Sequence, residues 1–446
     1  MRRSALARLG VMAVLVMTLL IPLGMVASVV SERASRRGEA VTEIGATWGG
    51  PQTLTGPVLT VPYTLAWKNS SGQEQRTIRR AHFLPRDLMF DATLETERRA
   101  RGIFEVNVYH TKVTVRGRFV RSDLAWVRPT PTSIEWGDAV LSVGISDPRA
   151  LTERAAIDWN GKSEPFASGV ADVGIFSNGI QAPARGIGSI AAGTEIPFSF
   201  TIAINGTRDI RFIPAAEETT VNLTSSWPHP SFVGGPLPQT RTTGANGFTA
   251  RWRVPDFGRP YPARWMCSDF ENNREVLLGR VNGSAFGVSL VQPVDIYQQA
   301  ERAVKYAVLF LVLTFLVFFL WEVFRSVLVH PVQYAFVGFA LCLFYLLLVS
   351  ISEHAGFDVA YGVSAAATTL AIGGYARAVL RGTGQGASVV ASLTTLYGFL
   401  YLLLRLEDYA LLAGSIGLFL VLSAVMFITR RMNWYELRLG NEEVRS

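Results

Sequence analysis

The chain has 446 residues, 49% of them hydrophobic, and 42 Lys and Arg against 35 Asp and Glu. A mean hydropathy of +0.26 with a pI near 9.5 excludes an ordinary soluble domain. Nucleic-acid binding is also excluded as the reason for the basic balance. Arg2, Arg3, Arg8, Arg377, Arg381, Arg430 and Arg431 flank apolar segments, where membrane proteins place positive charge to set orientation.

Two cysteines, Cys267 and Cys342, supply no disulfide framework. The apolar excess sits at the N-terminus and in the last third, so residues 31–300 read as a soluble insert. Residues 10–30 form the first predicted span. Its apolar run of about 21 residues exceeds the 7–15 of a secretory signal core. Pro22 and Gly24 kink such a helix without ending it, so an uncleaved anchor is expected. "SERASRRGEAVTEIGATWGG" then continues as an amphipathic helix, stopped by Gly49, Gly50 and Pro51.

Beyond that point the pattern changes to strands. "GPVLTVPYTLAW" carries prolines that suit sheet edges, and residues 104–119 alternate with the period of a half-buried strand pair. "EIPFSFTIAING", "DIRFIPA", "TTVNLTSSW", "FTARWRV" and "AFGVSLVQPVDIY" repeat the theme. Many short strands with Gly, Pro and Asn turns predict sandwich-like packing. The proline-rich stretch 126–138 is a candidate boundary between two lobes. In "WPHPSFVGGPLP", Trp227, His229 and Phe232 are candidates for a rigid ligand ledge; the competing reading is a stiff loop whose aromatics cap the β-core.

Five further spans are predicted at 303–324, 331–351, 357–380, 387–404 and 409–428, each meeting the roughly 20-residue requirement. The small residues of "AYGVSAAATTLAIGGYA" predict that the fourth span is buried among the others. Counting Lys and Arg in the short loops puts both termini inside and residues 31–300 outside. The outer turns then carry Glu353, His354 and Asp358 on one loop and Arg405, Glu407 and Asp408 on the other. Polar residues ending helices at the water boundary account for both. A shared acidic rim that docks the exported domain, a cation or a polar headgroup is a sharper alternative, and an embedded catalytic or proton-relay site is a third.

No catalytic motif emerges. The five histidines, His82, His110, His229, His330 and His354, form no zinc-binding pair. "GTGQG" lacks the strand and the Lys-Ser/Thr of a phosphate loop. No G-x-S-x-G elbow is present, and Ser352, Glu353 and His354 are adjacent rather than co-facial. Glu322, near the inner end of the second span, has Arg325 at i+3 and reads as boundary polarity.

"WGGPQTLTGPVLTVPY", "RGIFEVNVYHTKVTVRGRF" and "SSWPHPSFVGGPLP" together resemble the CreD family of bacterial inner-membrane, cell-envelope integrity proteins. So do "HPVQYAFVGFALCLFYLLLVSISEHAGFDVAY" and "LYGFLYLLLRLEDYALLAGSIGLF". The resemblance implies a single anchor, a large exported domain and a C-terminal bundle. It also implies association with an envelope-stress regulon and with β-lactam and colicin tolerance, and brings no catalytic residues.

The expected fold is thus an α+β membrane protein. It comprises an anchor (1–30), a β-rich, sandwich-like periplasmic domain (31–300) and a five-helix transmembrane bundle (301–446). The expected role is a non-enzymatic sensor, binder or scaffold, with no metal or cofactor. Its expected partners are the bilayer and periplasmic or envelope proteins or peptidoglycan-related ligands. A small transporter or lipid-handling protein using the bundle is the alternative, and a membrane-embedded enzyme with an outer-face acidic site is a further one.

Overall fold

The computed structural model describes residues 5–171, 173–266, 269, 274–291, 296–325, 329–379, 383–406 and 409–430. It divides into two compact units: a helical one, Met1–Gly38 with Val294–Ser446, and a β-rich one, Glu39–Pro293. The division falls within a helix, because α1 (Ala5–Trp48) runs unbroken through Pro22.

The other helices are α2 (Arg274–Gly283), α3 (Ile296–Lys305), α4 (Ala307–Arg325), α5 (Pro331–Ala355), α6 (Phe357–Val379), α7 (Thr383–Arg405) and α8 (Ala410–Thr429). Among the described residues five helices, α1, α4, α5, α7 and α8, are long and apolar enough to cross a membrane. The sequence reading counts α6 as a sixth; its Ala, Gly, Ser and Thr residues lower its hydropathy, and it falls outside those five.

In the helical unit α1 is a packed member rather than a separate tether. Met12, Leu19, Leu23, Val26 and Val30 are buried in one cluster with residues of α4 and α5. Their spacing of three, four or seven residues is that of a coiled-coil seam. The opposite face, including Val14, Met17, Ile21 and Met25, is exposed, as suits a helix with lipid on one side. Gly338 on α5 makes the approach possible, since a Cβ there would collide with the Leu19 Cδ1 methyl.

The β-rich unit contains strands β1 (Gln52–Lys68), β2 (Glu74–Phe83), β3 (Asp87–Arg101), β4 (Phe104–Val120), β5 (Ser133–Ile134) and β6 (Val140–Ile145). There follow β7 (Ala156–Trp159), β8 (Lys162–Pro165), β9 (Ala167–Ser168), β10 (Gly179–Pro183), β11 (Glu195–Thr207) and β12 (Asp209–Ile213). The last six are β13 (Glu218–Ser225), β14 (Pro230–Gly234), β15 (Thr240–Gly244), β16 (Gly247–Pro255), β17 (Arg264–Met266) and β18 (Phe286–Leu290).

One sheet has the order β14-β18-β12-β1-β6-β10-β9, with β2, β5 and β17 branching from β1 and β2; the other runs β15-β16-β13-β3-β4-β11-β7-β8. Their inner faces share one apolar core, where Phe90 of the second sheet meets Phe212 of the first at 5.1 Å between ring centroids. Alternation along β4 places Val113, Val115 and Phe119 inside and Lys112, Arg116 and Arg118 outside, the expected outcome for a strand with one buried face.

Four local expectations need correction. The proline-bearing β1 is the hub of its sheet, not an edge. Pro57 falls where the β1–β6 register shifts between Thr55 and Val58, and Pro62 lies in the gap between the β6 and β5 ladders. Neither interrupts a continuous ladder, which is how a central strand tolerates proline.

The alternating stretch 104–119 is one strand, and its hairpin partner is β3. Residues 126–138 do not divide the unit. Val127 is fully buried there, with Trp126, Ile134 and Trp136 packed on the common core. Finally, "AFGVSLVQPVDIY" is strand only to Leu290, and Ile296 and Tyr297 already belong to α3.

Candidate functional site

The outward face of the second sheet carries a polar groove of about 680 Å³. Strand pairing builds its floor. Asn222, Asp91 and Thr114 lie side by side across β13, β3 and β4, followed by Thr224, Thr93 and Lys112, and then Glu95 beside His110. Thr152 and Glu153 form a wall, held where the Thr152 amide donates to the Ala203 carbonyl of β11 at 3.0 Å.

The floor is partly organised by its own hydrogen bonds. The Asn222 amide donates to Asp91 Oδ1 at 2.7 Å, and the Thr114 and Thr201 hydroxyls meet at 3.1 Å. At one end the Trp48 indole packs edge-on against His110 at 4.9 Å, under the Arg99 guanidinium at 3.5 Å. The surface offers hydroxyls, amides, carboxylates and one ammonium over a rigid four-strand base. That chemistry recognises polar ligands by hydrogen bonds and charge.

Three guanidinium–carboxylate pairs in the helical unit join different helices. Glu322, only 1% exposed, pairs with Arg8 of α1 and accepts the Tyr334 hydroxyl at 2.8 Å. A cavity of about 280 Å³ adjoins this cluster, lined by Arg8, Val11, Met12, Glu322, Val329, Pro331 and Tyr334. Sequence reasoning offered Arg325 as the partner and boundary polarity as the role. The Arg325 side chain lies outside the described residues; tertiary packing brings Arg8 from α1, signalled in the sequence by an arginine at the head of an apolar helix.

Glu353, at the far end of α5, accepts the Tyr297 hydroxyl at 3.0 Å and lies 3.7 Å from Arg33. Burial, reinforced by Glu353, raises the Tyr297 hydroxyl above its ordinary range, so it stays protonated and donates. Arg8 and Arg33 are about 37 Å apart along α1 at 1.5 Å per residue. The two pairs therefore fasten α1 to the bundle at both ends of its apolar segment.

Asp358, in the first turn of α6, binds Arg405 at the end of α7 at 2.5 Å. Tyr401 joins both: its hydroxyl donates to Asp358 Oδ1 at 3.1 Å and accepts from Arg405 Nε at 3.2 Å. The candidate rim is thus not one cluster among the described residues. Glu353 belongs with Tyr297 and Arg33, Asp358 with Arg405, and His354 is exposed. Glu407 and Asp408 lie outside the described residues.

Of the candidate ledge, Trp227 is 7% exposed, and its indole N–H donates to the His229 and Val291 carbonyls at 3.1 Å. Phe232 packs edge-on against Phe248 and Trp252 on strand β14, paired with β18. Both rings are turned into the core. Cys267 lies outside the described residues, and Cys342 is buried in α5. Among the described residues, no group of His, Cys, Asp and Glu has the arrangement of a metal site.

Comparison with known proteins gives a consistent result. The family model described as inner membrane protein CreD matches residues 4–435. The chain is 32% identical over 434 residues to inner membrane protein CreD of Escherichia coli (strain K12), covering 95% of this chain and 92% of that one.

Proposed function

The chain belongs to the CreD family of inner membrane proteins, and from that premise we propose a non-enzymatic sensor, binder or scaffold that supports envelope integrity. Six helices cross the inner membrane, both termini lie inside, and the β-rich unit stands in the periplasm. For α6, support comes from its packing beside both α5 and α7 and its 23 residues. At 1.5 Å per residue these rise about 34 Å, enough for a hydrocarbon core of about 30 Å. The arginines after α6 and α8 support the orientation.

The observation that carries the reading is the polar groove of about 680 Å³ on the outer face of the second sheet. Its hydroxyls, amide and carboxylates support a periplasmic or envelope protein, or a peptidoglycan-related ligand, as the occupant. Support for a non-enzymatic role comes from Glu322, Glu353 and Asp358, each set against an arginine. A general acid or base must exchange its proton with substrate, whereas each of these carboxylates already faces a guanidinium of its own bundle.

Complementation of a deletion strain under β-lactam and detergent challenge tests this. A chain with Thr93→Trp and Thr224→Trp filling the groove should fail, as should one lacking residues 50–295. Glu353→Ala, Asp358→Ala, Glu407→Ala and Asp408→Ala, at normal membrane levels, should complement. A single acid variant failing as badly as the domain deletion would move catalysis or transport to first place. A reporter fused after Asp408 should appear outside and one after Gly384 inside; reversal overturns the orientation.

A further inference from the structure

Helices α6 and α7 enclose a groove of about 600 Å³ that the function proposed above does not use. On α6 it is lined by Tyr361, Gly362, Ala365, Ala366, Thr369 and Leu370, at the three- and four-residue spacing of one helix face. Val390, Thr394, Tyr397 and Gly398 line it on α7. Small residues here leave a trough where larger ones would fill the space.

The two ends differ. One end opens at the Asp358–Arg405–Tyr401 cluster, whose charged groups are about half exposed. The other closes below Leu370, where Gly373 lets Val390 press so near α6 that a Cβ would collide with it.

We propose that this groove is a phospholipid site, holding one acyl chain along α6 and α7 and a zwitterionic, amine-bearing headgroup at the cluster. Length is the first argument. From Asp358 to Leu370 the helix rises about 18 Å at 1.5 Å per residue. That is close to one leaflet of a hydrocarbon core of about 30 Å.

Charge is the second argument. Arg405 offers N–H donors to a phosphate, while Asp358 accepts from an ammonium. A headgroup carrying both charges satisfies both sides of an exposed ion pair that is itself worth little. An anionic headgroup satisfies only the arginine and sets its phosphate beside Asp358. The inference is independent of the β-unit's role.

Native mass spectrometry of the full-length protein, purified in mild detergent with added palmitoyl-oleoyl phosphatidylethanolamine or phosphatidylglycerol, tests it. One phosphatidylethanolamine per chain should survive delipidation, with about tenfold preference over phosphatidylglycerol, the size expected for one charged hydrogen bond. Ala366→Phe, which fills the trough, should abolish retention, with Ala424→Phe at an exposed position of α8 as the control of equal bulk.

Arg405→Gln and Asp358→Asn leave the packing alone and should each weaken retention about tenfold. Equal binding of both lipids, or retention unchanged in Ala366→Phe and Arg405→Gln, would overturn the proposal. So would a wild-type dimer that Ala366→Phe dissociates, since the trough would then be a helix–helix interface.

Discussion

Glu322 provides the sharpest test of how α1 is held. Replacing it by alanine deprives Arg8, whose side chain is 13% exposed, of its carboxylate. The same change removes the acceptor of the Tyr334 hydroxyl, on a residue 4% exposed. Breaking a buried ion pair from one side costs about 3–5 kcal/mol, and an orphaned buried hydroxyl adds about 1–3 kcal/mol. Arg8 stands near the start of α1 and can extend its head toward water, so we expect the low end of the sum, about 4 kcal/mol.

The double variant Arg8→Met/Glu322→Leu removes both charges and should cost only about 1–2 kcal/mol. Set against its own single variants, Arg8→Met and Glu322→Leu, the double should show a coupling of about 2 kcal/mol, within the range of contacting residues. The assay is SDS-driven unfolding in mixed micelles, followed by far-UV circular dichroism for wild type, both single variants and the double. The reasoning is refuted if Glu322→Ala lies within about 0.5 kcal/mol of wild type, or if the double variant is as damaged as the single one.

Two further outcomes follow from packing and titration. Gly338→Leu should destabilise the helical unit by about 1–3 kcal/mol through overpacking against Leu19, and Gly338→Ala by less, because a terminal methyl can turn aside; a thermal shift in detergent measures both, and a neutral Gly338→Leu would mean that α1 does not dock at this glycine. His82 is fully buried on β2 with its Nδ1 3.0 Å from the Thr60 hydroxyl, and burial first, then Arg80, lowers its pKa to about 3. The unfolded chain, near 6.5, binds this proton first, so the stability is whole above pH 6.5 and is lost as pH falls toward 3. Between pH 7 and pH 5 the loss is about 2 kcal/mol. Hydrogen exchange of the β2 amides should show it, and His82→Gln should remove it; an unchanged pH difference in that variant would assign the effect elsewhere.

Much of the architecture was legible in the sequence because its signals are local. Apolar runs mark α1, α4, α5, α7 and α8, since hydropathy is a property of consecutive residues. Alternation marked β4, β11, β13 and β16, because one buried face imposes a period of two. β3 was missed: its second half from Glu95, "ETERRAR", is charged and largely exposed, which hides the pattern. The prolines of β1 misled because their cost depends on what lies across the strand, and only the pairing reveals the bulge and the gap between ladders.

The site was less legible, for a related reason. Glu353, Asp358 and Arg405 could be named as polar residues in an apolar context, but not which of them meet. The seam of α1 was invisible because the helix is apolar on every side, so periodicity cannot separate the face that meets protein from the face that meets lipid. The groove on the second sheet needs β13 laid parallel to β3, a pairing between distant parts of the chain. Sequence by itself determined which segments are apolar, where charge is placed and which residues alternate, all of which depend on near neighbours along the chain. Only the tertiary structure decided that Arg8 meets Glu322, that Arg405 meets Asp358, and which outward threonines share a groove, because those contacts are chosen by packing across space.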